Sequence, residues 1–344
     1  MKIPILNIYY LLCYAWDKLE EKEIVDVNAE NFKEILDLFA KILINGTTHL
    51  IKIGLDRDYI VYQEDISRIR GKVNFSESIK RNILHCAKLN CEYDELDYNI
   101  LHNQILKSTI RELIKIKKID KDLKSDLIKI NRYFNSIDVV KISNKLFSQV
   151  RLNRNNYFYD FLLKVCYLVY NNLLIDEKTG DKKFKDFIRE ESKMSVLFES
   201  FVRNFYKKEL EGYESFRETI KWDGQSYNDE SKERLPVMQT DISLVSINRK
   251  IIIDTKYYKE ALRKNYNKEK IISNNLYQIF SYLKNVEVKD KISKKCEGIL
   301  LYPVVKKEIN LRYKISNHKL FIKTINLSQD WKNIHKDLIK IIEN

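Results

Sequence analysis

Glycine and proline are scarce in this chain of 344 residues, which contains seven glycines and three prolines. Because both residues favour turns and interrupt helices and strands, their scarcity predicts mostly regular secondary structure with short turns. The sequence also has no internal repeat, no heptad run and no low-complexity segment. A chain of this length is expected to form two domains, each large enough for its own core.

Cysteine is also infrequent, and its positions are scattered: Cys13, Cys86, Cys91, Cys166 and Cys296. An odd, scattered set is typical of reduced thiols in a cytoplasmic protein. The spacing of Cys86 and Cys91 to His85 and His102 fits no standard zinc site, so we do not expect a zinc centre.

A long hydrophobic run is missing as well. The apolar stretch from Ile3 to Trp16 is shorter than the ~20 residues that cross a bilayer. Its near-helical spacing predicts a buried first helix, and we expect neither a secretory nor a membrane segment.

The nucleotide-binding pattern G-x-x-x-x-G-K-[ST] does not occur. Gly71-Lys72 is followed by Val73 and has no glycine five residues before it. We therefore expect that this chain does not bind or hydrolyse a nucleotide by itself.

Positive charge is in excess, with a net charge of +13. Residues 1–150 hold 24 Lys and Arg against 22 Asp and Glu, whereas residues 151–344 hold 38 against 27. Since neutralising phosphates and releasing counterions drives non-specific DNA affinity, the second part of the chain is the expected DNA-binding part.

Hydrophobic periodicity gives a coarse element map. Predicted helices span residues 1–20, 30–44, 99–119 and 157–174, with more helix up to about 148. Asn45-Gly46 is expected to end the second helix. Predicted strands span residues 50–53, 59–62, 72–75, 298–302 and 319–323, and polar loops span 176–183 and 222–233. We place the domain boundary near residue 150.

The segment 237–257 predicts two strands joined by a tight turn at Asn248-Arg249. With Ile247 opposite Lys250, Asp241 lies opposite Lys256. The same register sets Ser243 opposite Asp254. Paired residues, and residues two apart on one strand, share a face of the sheet, so these polar groups converge on one patch.

Asp241 and Asp254 would repel each other at such a distance unless a cation lay between them, which outlines a divalent-metal site. The alternative is a solvent-exposed hairpin face carrying a surface ion pair with Lys256. The continuous apolar run 251–253 favours the first interpretation, because charges at the end of a strand covered on both faces are usually paired or bound.

The pattern Asp–x(12)–Asp–x–Lys resembles the core of PD-(D/E)xK nucleases, and the flanking segments extend the resemblance. Residues 194–208 have a wide helical apolar stripe, with Glu199 at its edge, where this superfamily often supplies a further carboxylate; the alternative is an ordinary boundary glutamate. Gln278, on a predicted helix over 274–282, resembles the glutamine that many such nucleases place after the Asp-x-Lys strand. Thr240 stands where the superfamily has proline, which puts the loop geometry in question more than the chemistry.

Four further segments resemble the McrC family, the nuclease subunits of McrBC-type, 5-methylcytosine-dependent restriction systems. In chain order they are residues 3–16, 68–75, 93–107 and 151–157. The resemblance runs from the first residue to about Val304.

This resemblance implies an α+β/α/β fold: a mixed α/β partner-binding domain at 1–150, then a restriction-endonuclease-like core, a mixed sheet flanked by helices, at 151–344. It implies a separate AAA+ GTPase ring of McrB type, which uses the GTP and recognises modified double-stranded DNA. The first domain would dock on that ring and stimulate it.

The implied chemistry is hydrolysis of DNA phosphodiesters. Asp241 and Asp254, with Glu199 as a further ligand, would hold Mg²⁺, which polarises the phosphate and activates water. Lys256 would orient the nucleophile or stabilise transition-state charge, and Gln278 would position Lys256 or a backbone phosphate. Two alternatives stay open: a stand-alone repair-type nuclease of the RecB kind, and a non-catalytic assembly subunit that only grips DNA.

Overall fold

The computed structural model describes residues 3–20, 32, 34–175, 182–185, 187–224, 234–258, 262–265, 268–287, 292, 295–304 and 307–343. The chain divides into two compact units. We call residues 1–22 with 186–344 the sheet unit, and residues 23–185 the insertion unit. The sequence predicted two domains with a boundary near residue 150. The two observed units have other bounds, because the sheet unit consists of two separate segments of the chain.

Ten helices of at least six residues lie in the described ranges. They are α1 (Ile5–Ala15), α2 (Ile35–Ile53), α3 (Phe75–Lys80), α4 (Leu101–Lys115), α5 (Lys121–Asn131), α6 (Asn144–Gln149), α7 (Phe158–Asn172), α8 (Glu191–Glu209), α9 (Ser273–Val286) and α10 (Trp331–Glu343). No helix among these described residues is long and apolar enough to cross a membrane.

The strands are short in most of the chain and longest in two sheets. They are β1 (Asp58–Ile66), β2 (Lys72–Val73), β3 (Leu89–Asp97), β4 (Leu173–Ile175), β5 (Lys182–Phe184), β6 (Glu214–Phe216), β7 (Thr219–Ile220), β8 (Met238–Gln239), β9 (Ile242–Val245), β10 (Lys250–Thr255), β11 (Leu262–Asn265), β12 (Lys268–Ile271), β13 (Glu297–Pro303), β14 (Asn310–Ile315) and β15 (His318–Ile325).

The sheet unit is built on a six-stranded mixed sheet with the order β14-β15-β13-β10-β9-β6. β10 and β13 pair in parallel, as do β13 and β15, while the outer pairings are antiparallel. β10 is buried along its whole length, as its apolar run predicts for a strand covered on both faces. The α/β nuclease-like fold expected from the sequence is confirmed.

Helix α1 belongs to the sheet unit although it lies at the start of the chain. It packs against α8, and Asn7 Nδ2 donates to the carbonyl oxygen of Leu327 at 2.9 Å. Asn204 Nδ2 donates to the carbonyl oxygen of Tyr14 at 3.0 Å. A cut at residue 150 would therefore separate α1 from the core that it completes.

The unit bounds also change the distribution of charge. The insertion unit holds 28 Lys and Arg against 23 Asp and Glu, and the sheet unit holds 34 against 26. The net charges are thus +5 and +8, a smaller contrast than the one between residues 1–150 and 151–344. Net charge alone therefore does not identify the DNA-binding unit.

The insertion unit combines helices with a three-stranded antiparallel sheet of order β1-β3-β2. Its helix α2 corrects the prediction at Asn45-Gly46, because the helix continues to Ile53 and ends at Gly54, whose φ is +98°. Gly46 has a packing role: a Cβ there would lie 2.4 Å from a methyl carbon of Leu162. Residues 50–53 belong to this helix, so the strand predicted there was wrong.

Other differences are local. The predicted strand at 72–75 contains the two residues of β2 and then the start of α3, and β3 was not predicted. The predicted helices at 99–119 and 157–174 are confirmed as α4 and α7, and the strands at 298–302 and 319–323 as β13 and β15. Most of the loops predicted at 176–183 and 222–233 falls outside the described residues. All five cysteines are free.

Candidate active site

The hairpin of β9 and β10 has a different register from the predicted one. Lys250 lies opposite Val245 and not opposite Ile247, so the turn contains four residues. Ser246 closes this turn: its amide donates to the carbonyl oxygen of Arg249 at 2.9 Å, and its Oγ accepts from the Arg249 amide at 3.2 Å. The sequence pattern did not reveal this side-chain contact, and the predicted register was wrong by two residues.

The error does not separate the carboxylates. Ile253 lies opposite Ile242 in β9, so Asp254 and Asp241 follow as the next facing positions. Side chains alternate between the faces of a strand, and a shift of two residues therefore preserves which side chains share a face. The prediction that Asp241 and Asp254 converge is confirmed.

Asp254 carries the most unusual electrostatic environment at the site. Its side chain is 0% exposed, and neither carboxylate oxygen accepts a hydrogen bond of regular geometry. Lys256 Nζ lies 2.8 Å from Oδ2, so charge attraction at an unfavourable angle is the main contact. Burial, followed by the charge of Asp241, raises the pKa of Asp254 to about 7. The alternative of a solvent-exposed hairpin face is excluded for this residue.

Asp241 is held by the residue that follows Asp254. The amide and the hydroxyl of Thr255 donate to Asp241 Oδ2 at 2.8 and 3.0 Å. Burial, followed by the charge of Glu199, raises the pKa of Asp241. The Thr255 contacts fix the orientation of the carboxylate.

Lys256 lies between acidic and amide groups at the end of β10. Its Nζ donates to Gln278 Oε1 at 3.0 Å, and its amide donates to the carbonyl oxygen of Leu301 at 2.9 Å. Burial alone would lower the pKa of Lys256, but the nearby charges of Asp254 and Asp241 outweigh it and raise that pKa. Lys256 is therefore a fixed cation, and Gln278 from α9 contacts it as predicted.

Tyr282, one turn after Gln278, was not predicted as a site residue. Gln278 Nε2 donates to the Tyr282 hydroxyl at 2.8 Å, and that hydroxyl donates to the carbonyl oxygen of Gln239 at 3.0 Å. The i, i+4 spacing of the pair on α9 was a usable signal. This chain of hydrogen bonds connects Lys256 to the segment that leads into Asp241.

Glu199 lies at the site on α8, but its Oε1 is engaged by two guanidinium groups. Arg203 Nη1 donates to this oxygen at 2.8 Å and Arg217 Nε at 2.9 Å, and Arg217 Nη2 also contacts it. Arg203 Nη1 also lies 3.3 Å from the carbonyl oxygen of Asp241. Arg203, which is half-buried, was missed although its i, i+4 spacing from Glu199 on the predicted helix was a usable signal. The exposed Arg217 was missed because its contact with Glu199 joins a helix to a strand connection.

Thr240, which occupies the position of the superfamily proline, is fixed by Glu218. The Thr240 amide donates to the Glu218 carbonyl oxygen at 2.9 Å, and Thr240 Oγ1 accepts from the Glu218 amide at 3.0 Å. The Glu218 carboxylate in turn accepts from Ser243 Oγ at 3.0 Å and Lys250 Nζ at 2.9 Å. Hydrogen bonds thus supply the rigidity that a proline ring would give.

The carboxylate oxygens of the site provide some of the ligands that a hard divalent cation needs. Asp254 offers two buried oxygens without regular hydrogen bonds, and carboxylates are preferred ligands of Mg²⁺. No cluster of three or more His, Cys, Asp or Glu side chains suited to a metal occurs in the described ranges. Two aspartates are therefore the protein ligands that the geometry offers, which agrees with Mg²⁺ keeping several waters and binding through one or two carboxylates.

Comparison with known proteins identifies relatives over nearly the whole chain. The sequence model of the family described as McrBC 5-methylcytosine restriction system component matches residues 7–303. The type IV methyl-directed restriction enzyme EcoKMcrBC of Escherichia coli (strain K12) is 33% identical over 341 residues, covering 99% of this chain and 97% of that protein.

A solved structure has a similar fold. It is the refined half-complex from a tetradecameric assembly of Thermococcus gammatolerans McrB AAA+ hexamers with bound McrC. The match has a TM-score of 0.60 and 18% identity, and it covers 98% of this chain and 76% of that chain. With the family match over most of its length, this chain belongs to the family of McrBC 5-methylcytosine restriction system components.

Proposed function

We propose that this protein is the DNA-cleaving subunit of a GTP-dependent restriction system of McrBC type. It hydrolyses phosphodiesters of double-stranded, modified DNA when a separate AAA+ GTPase acts with it. The observation that carries the proposal is the Asp254 carboxylate, fully buried and without regular hydrogen bonds, beside Asp241 and Lys256. Ionising a carboxylate that is buried next to a second carboxylate is unfavourable even with Lys256 beside it, so such a group is retained for binding or chemistry.

Asp241 and Asp254 would hold Mg²⁺ in this proposal, and Glu199 as a further ligand stays a prediction. Bound there, Mg²⁺ would polarise the scissile phosphate and lower the pKa of water. The Glu199 oxygen Oε1 is occupied by arginines, so only Oε2 could contribute. The cation would also offset the repulsion between the two aspartates.

Lys256 acts on the substrate through its charge. Its raised pKa keeps the ammonium protonated at neutral pH, so it stabilises negative charge that develops on the phosphate oxygens. Gln278 Oε1 accepts a hydrogen bond from Lys256 Nζ at 3.0 Å, which restricts the direction of the lysine side chain. A fixed cation needs little reorganisation during the reaction, and this is the source of its catalytic effect.

The partner is an AAA+ GTPase ring of McrB type, and this chain stimulates its GTP hydrolysis. Support comes from the Thermococcus gammatolerans assembly, which contains McrB AAA+ hexamers with bound McrC, and from the missing nucleotide-binding pattern in this sequence. The partner-binding role predicted for residues 1–150 falls mostly on the insertion unit, and the nuclease role on the sheet unit.

A reconstituted cleavage reaction tests the proposal. The full chain is combined with the McrB-type GTPase of the same system, GTP, Mg²⁺ and DNA containing 5-methylcytosine. We expect cleavage by the wild type and none by Asp254→Asn, which should still join the ring and stimulate GTPase activity. Asp337→Asn is the matched control, since this aspartate lies on α10 in the same unit, with 42% of its side chain exposed.

Two other outcomes would replace the proposal. Cleavage of plain DNA by the chain alone with Mg²⁺, without partner or GTP, would favour a stand-alone repair-type nuclease of the RecB kind. Failure of the wild type to cut while it stimulates the GTPase would favour a non-catalytic DNA-gripping subunit.

A further inference from the structure

Arg217 lies in the short connection between β6 and β7, where it contacts Glu199 of the candidate site. About 46% of its side chain is exposed, whereas the Glu199 side chain that it contacts is 15% exposed. Two nitrogens of its guanidinium approach one oxygen of Glu199. The guanidinium is thus held by a mostly buried carboxylate, while nearly half of the Arg217 side chain is exposed.

A chain of contacts joins Arg217 to the aspartates. Arg203 contacts both Glu199 and the Asp241 backbone, at 2.8 and 3.3 Å. The backbone of Glu218, next in sequence to Arg217, is hydrogen-bonded to Thr240, next in sequence to Asp241. Arg217 therefore belongs to the rim of this site, and it is not an isolated surface cation.

Glu199 contacts two positively charged side chains, although one would neutralise its carboxylate. An ordinary surface ion pair has two exposed members and contributes little, but here one mostly buried carboxylate receives two guanidinium groups. Three carboxylates at the site, from Glu199, Asp241 and Asp254, face three cations, from Arg203, Arg217 and Lys256. With all three carboxylates ionised the group is neutral, and a bound divalent cation would make it positive and thus attractive to a polyanion.

We propose that Arg217 binds a backbone phosphate of the DNA strand that enters the site, and that Glu199 is the positioning residue that orients it. An arginine is suited to this contact because its planar fork can hold a carboxylate with one edge and leave other N–H donors for a phosphate. Anchoring by Glu199 also restricts the rotamers of Arg217 before DNA binds, so less conformational entropy is lost on binding. This inference rests on the proposed nuclease function.

The test is the salt dependence of DNA binding by the full chain, measured by fluorescence anisotropy with a double-stranded oligonucleotide and Ca²⁺ in place of Mg²⁺. Each lost phosphate contact should reduce the slope of log affinity against log salt by about one. We expect Arg217→Ala to reduce the slope by about one and to weaken binding several-fold, while Arg217→Lys keeps most of the slope. Lys319→Ala is the matched control, because Lys319 is a 65% exposed cation that also pairs with a glutamate, Glu297.

Glu199→Gln distinguishes the proposed role of Glu199 in orienting Arg217 from its predicted role as a metal ligand. As an orienting residue, it should keep the salt slope and the Mg²⁺ concentration for half-maximal thermal stabilisation, while lowering the single-turnover cleavage rate. A higher Mg²⁺ requirement in that thermal assay would make Glu199 a metal ligand and overturn its positioning role. An unchanged slope in Arg217→Ala, with wild-type binding intact, would overturn the phosphate contact alone. A wild-type chain without salt-dependent DNA binding would overturn both this inference and the nuclease function.

Discussion

An aspartate in each unit lies close to nitrogen-bearing side chains, and the two are satisfied to different degrees. In the insertion unit, Asp56 accepts from Asn156 Nδ2 at 2.7 Å and from the Arg57 amide at 3.0 Å, and His102 Nε2 lies 2.9 Å away. In the sheet unit, Asp254 is fully buried, yet neither oxygen has a regular hydrogen bond.

The difference separates a structural carboxylate from a functional one. Asp56 keeps 30% of its side chain exposed and links the segment before β1 to α4 and to the segment before α7. Its hydrogen bonds therefore connect segments that are far apart in sequence. Asp254 connects nothing in this way, and its environment opposes ionisation by raising the pKa to about 7. Asp254 needs a bound cation to favour its ionised form, whereas the hydrogen bonds of Asp56 satisfy its carboxylate without any ligand.

Replacing Asp254 should have the largest effect on activity. Asp254→Asn removes a carboxylate from a rigid strand, so we expect the cleavage rate to fall at least about a hundredfold, as for other preorganised electrostatic groups. Asp56→Asn, measured in the same single-turnover assay with partner and GTP, should cleave at a rate within a few-fold of the wild type. Equal losses in both variants would remove the distinction between the two aspartates.

Lys256→Ala should also reduce cleavage strongly, by about a hundredfold, because the fixed cation no longer stabilises charge on the phosphate. An ammonium is not a metal ligand, so the variant should bind Mg²⁺ at least as well as the wild type. Thermal stabilisation by increasing Mg²⁺ measures that affinity without the need for activity. A joint loss of Mg²⁺ binding and cleavage would show that Lys256 has a different role.

Site residues could be predicted from the sequence where their position depends only on the alternation of side chains between the two faces of a strand. Asp241, Asp254 and Lys256 were found although the register was wrong, since a shift of two residues leaves side chains on the same face. Gln278 was found through the resemblance to PD-(D/E)xK nucleases, on a helix that hydrophobic periodicity predicted. Arg217 was not, because its contact with Glu199 depends on tertiary packing between a helix and a strand connection.

In the fold too, features set by local sequence were predicted and features set by long-range packing were not. The apolar run of β10 predicted a strand covered on both faces, since that property is local. Gly46 was misread as a helix end, because the methyl group of Leu162 that packs against it comes from another helix. The first helix was assigned to the wrong unit, since its partner Leu327 is 320 residues away from Asn7. Long-range packing left no periodic signal in the sequence.

The two aspartates should also differ in their effect on stability, by amounts smaller than the effects on activity. Asp56→Ala leaves Asn156 Nδ2 without its acceptor and removes the carboxylate next to His102, so we expect a loss of about 1–3 kcal/mol in the free energy of unfolding. Asp254→Asn removes a carboxylate whose ionisation the fold disfavours even with Lys256 beside it, so without divalent cations it should stabilise the sheet unit by a similar amount. Urea unfolding in EDTA, with amide exchange followed separately in each unit, measures both changes. Destabilisation by Asp254→Asn in EDTA would contradict the comparison.

The smallest expected effect is a pH dependence in the insertion unit that arises from His102. This side chain is 7% exposed, and burial lowers its pKa, although the charges of Asp56 and Asp58 partly oppose the shift. The unfolded chain therefore binds a proton more readily than the folded one below the ordinary histidine pKa of about 6.5, so stability is lost as pH falls through that range. We expect His102→Gln to remove part of the loss between about pH 7 and pH 5. Exchange protection of the α4 amides, corrected for intrinsic rates, measures it, and an unchanged pH slope in the variant would show that His102 is not its source.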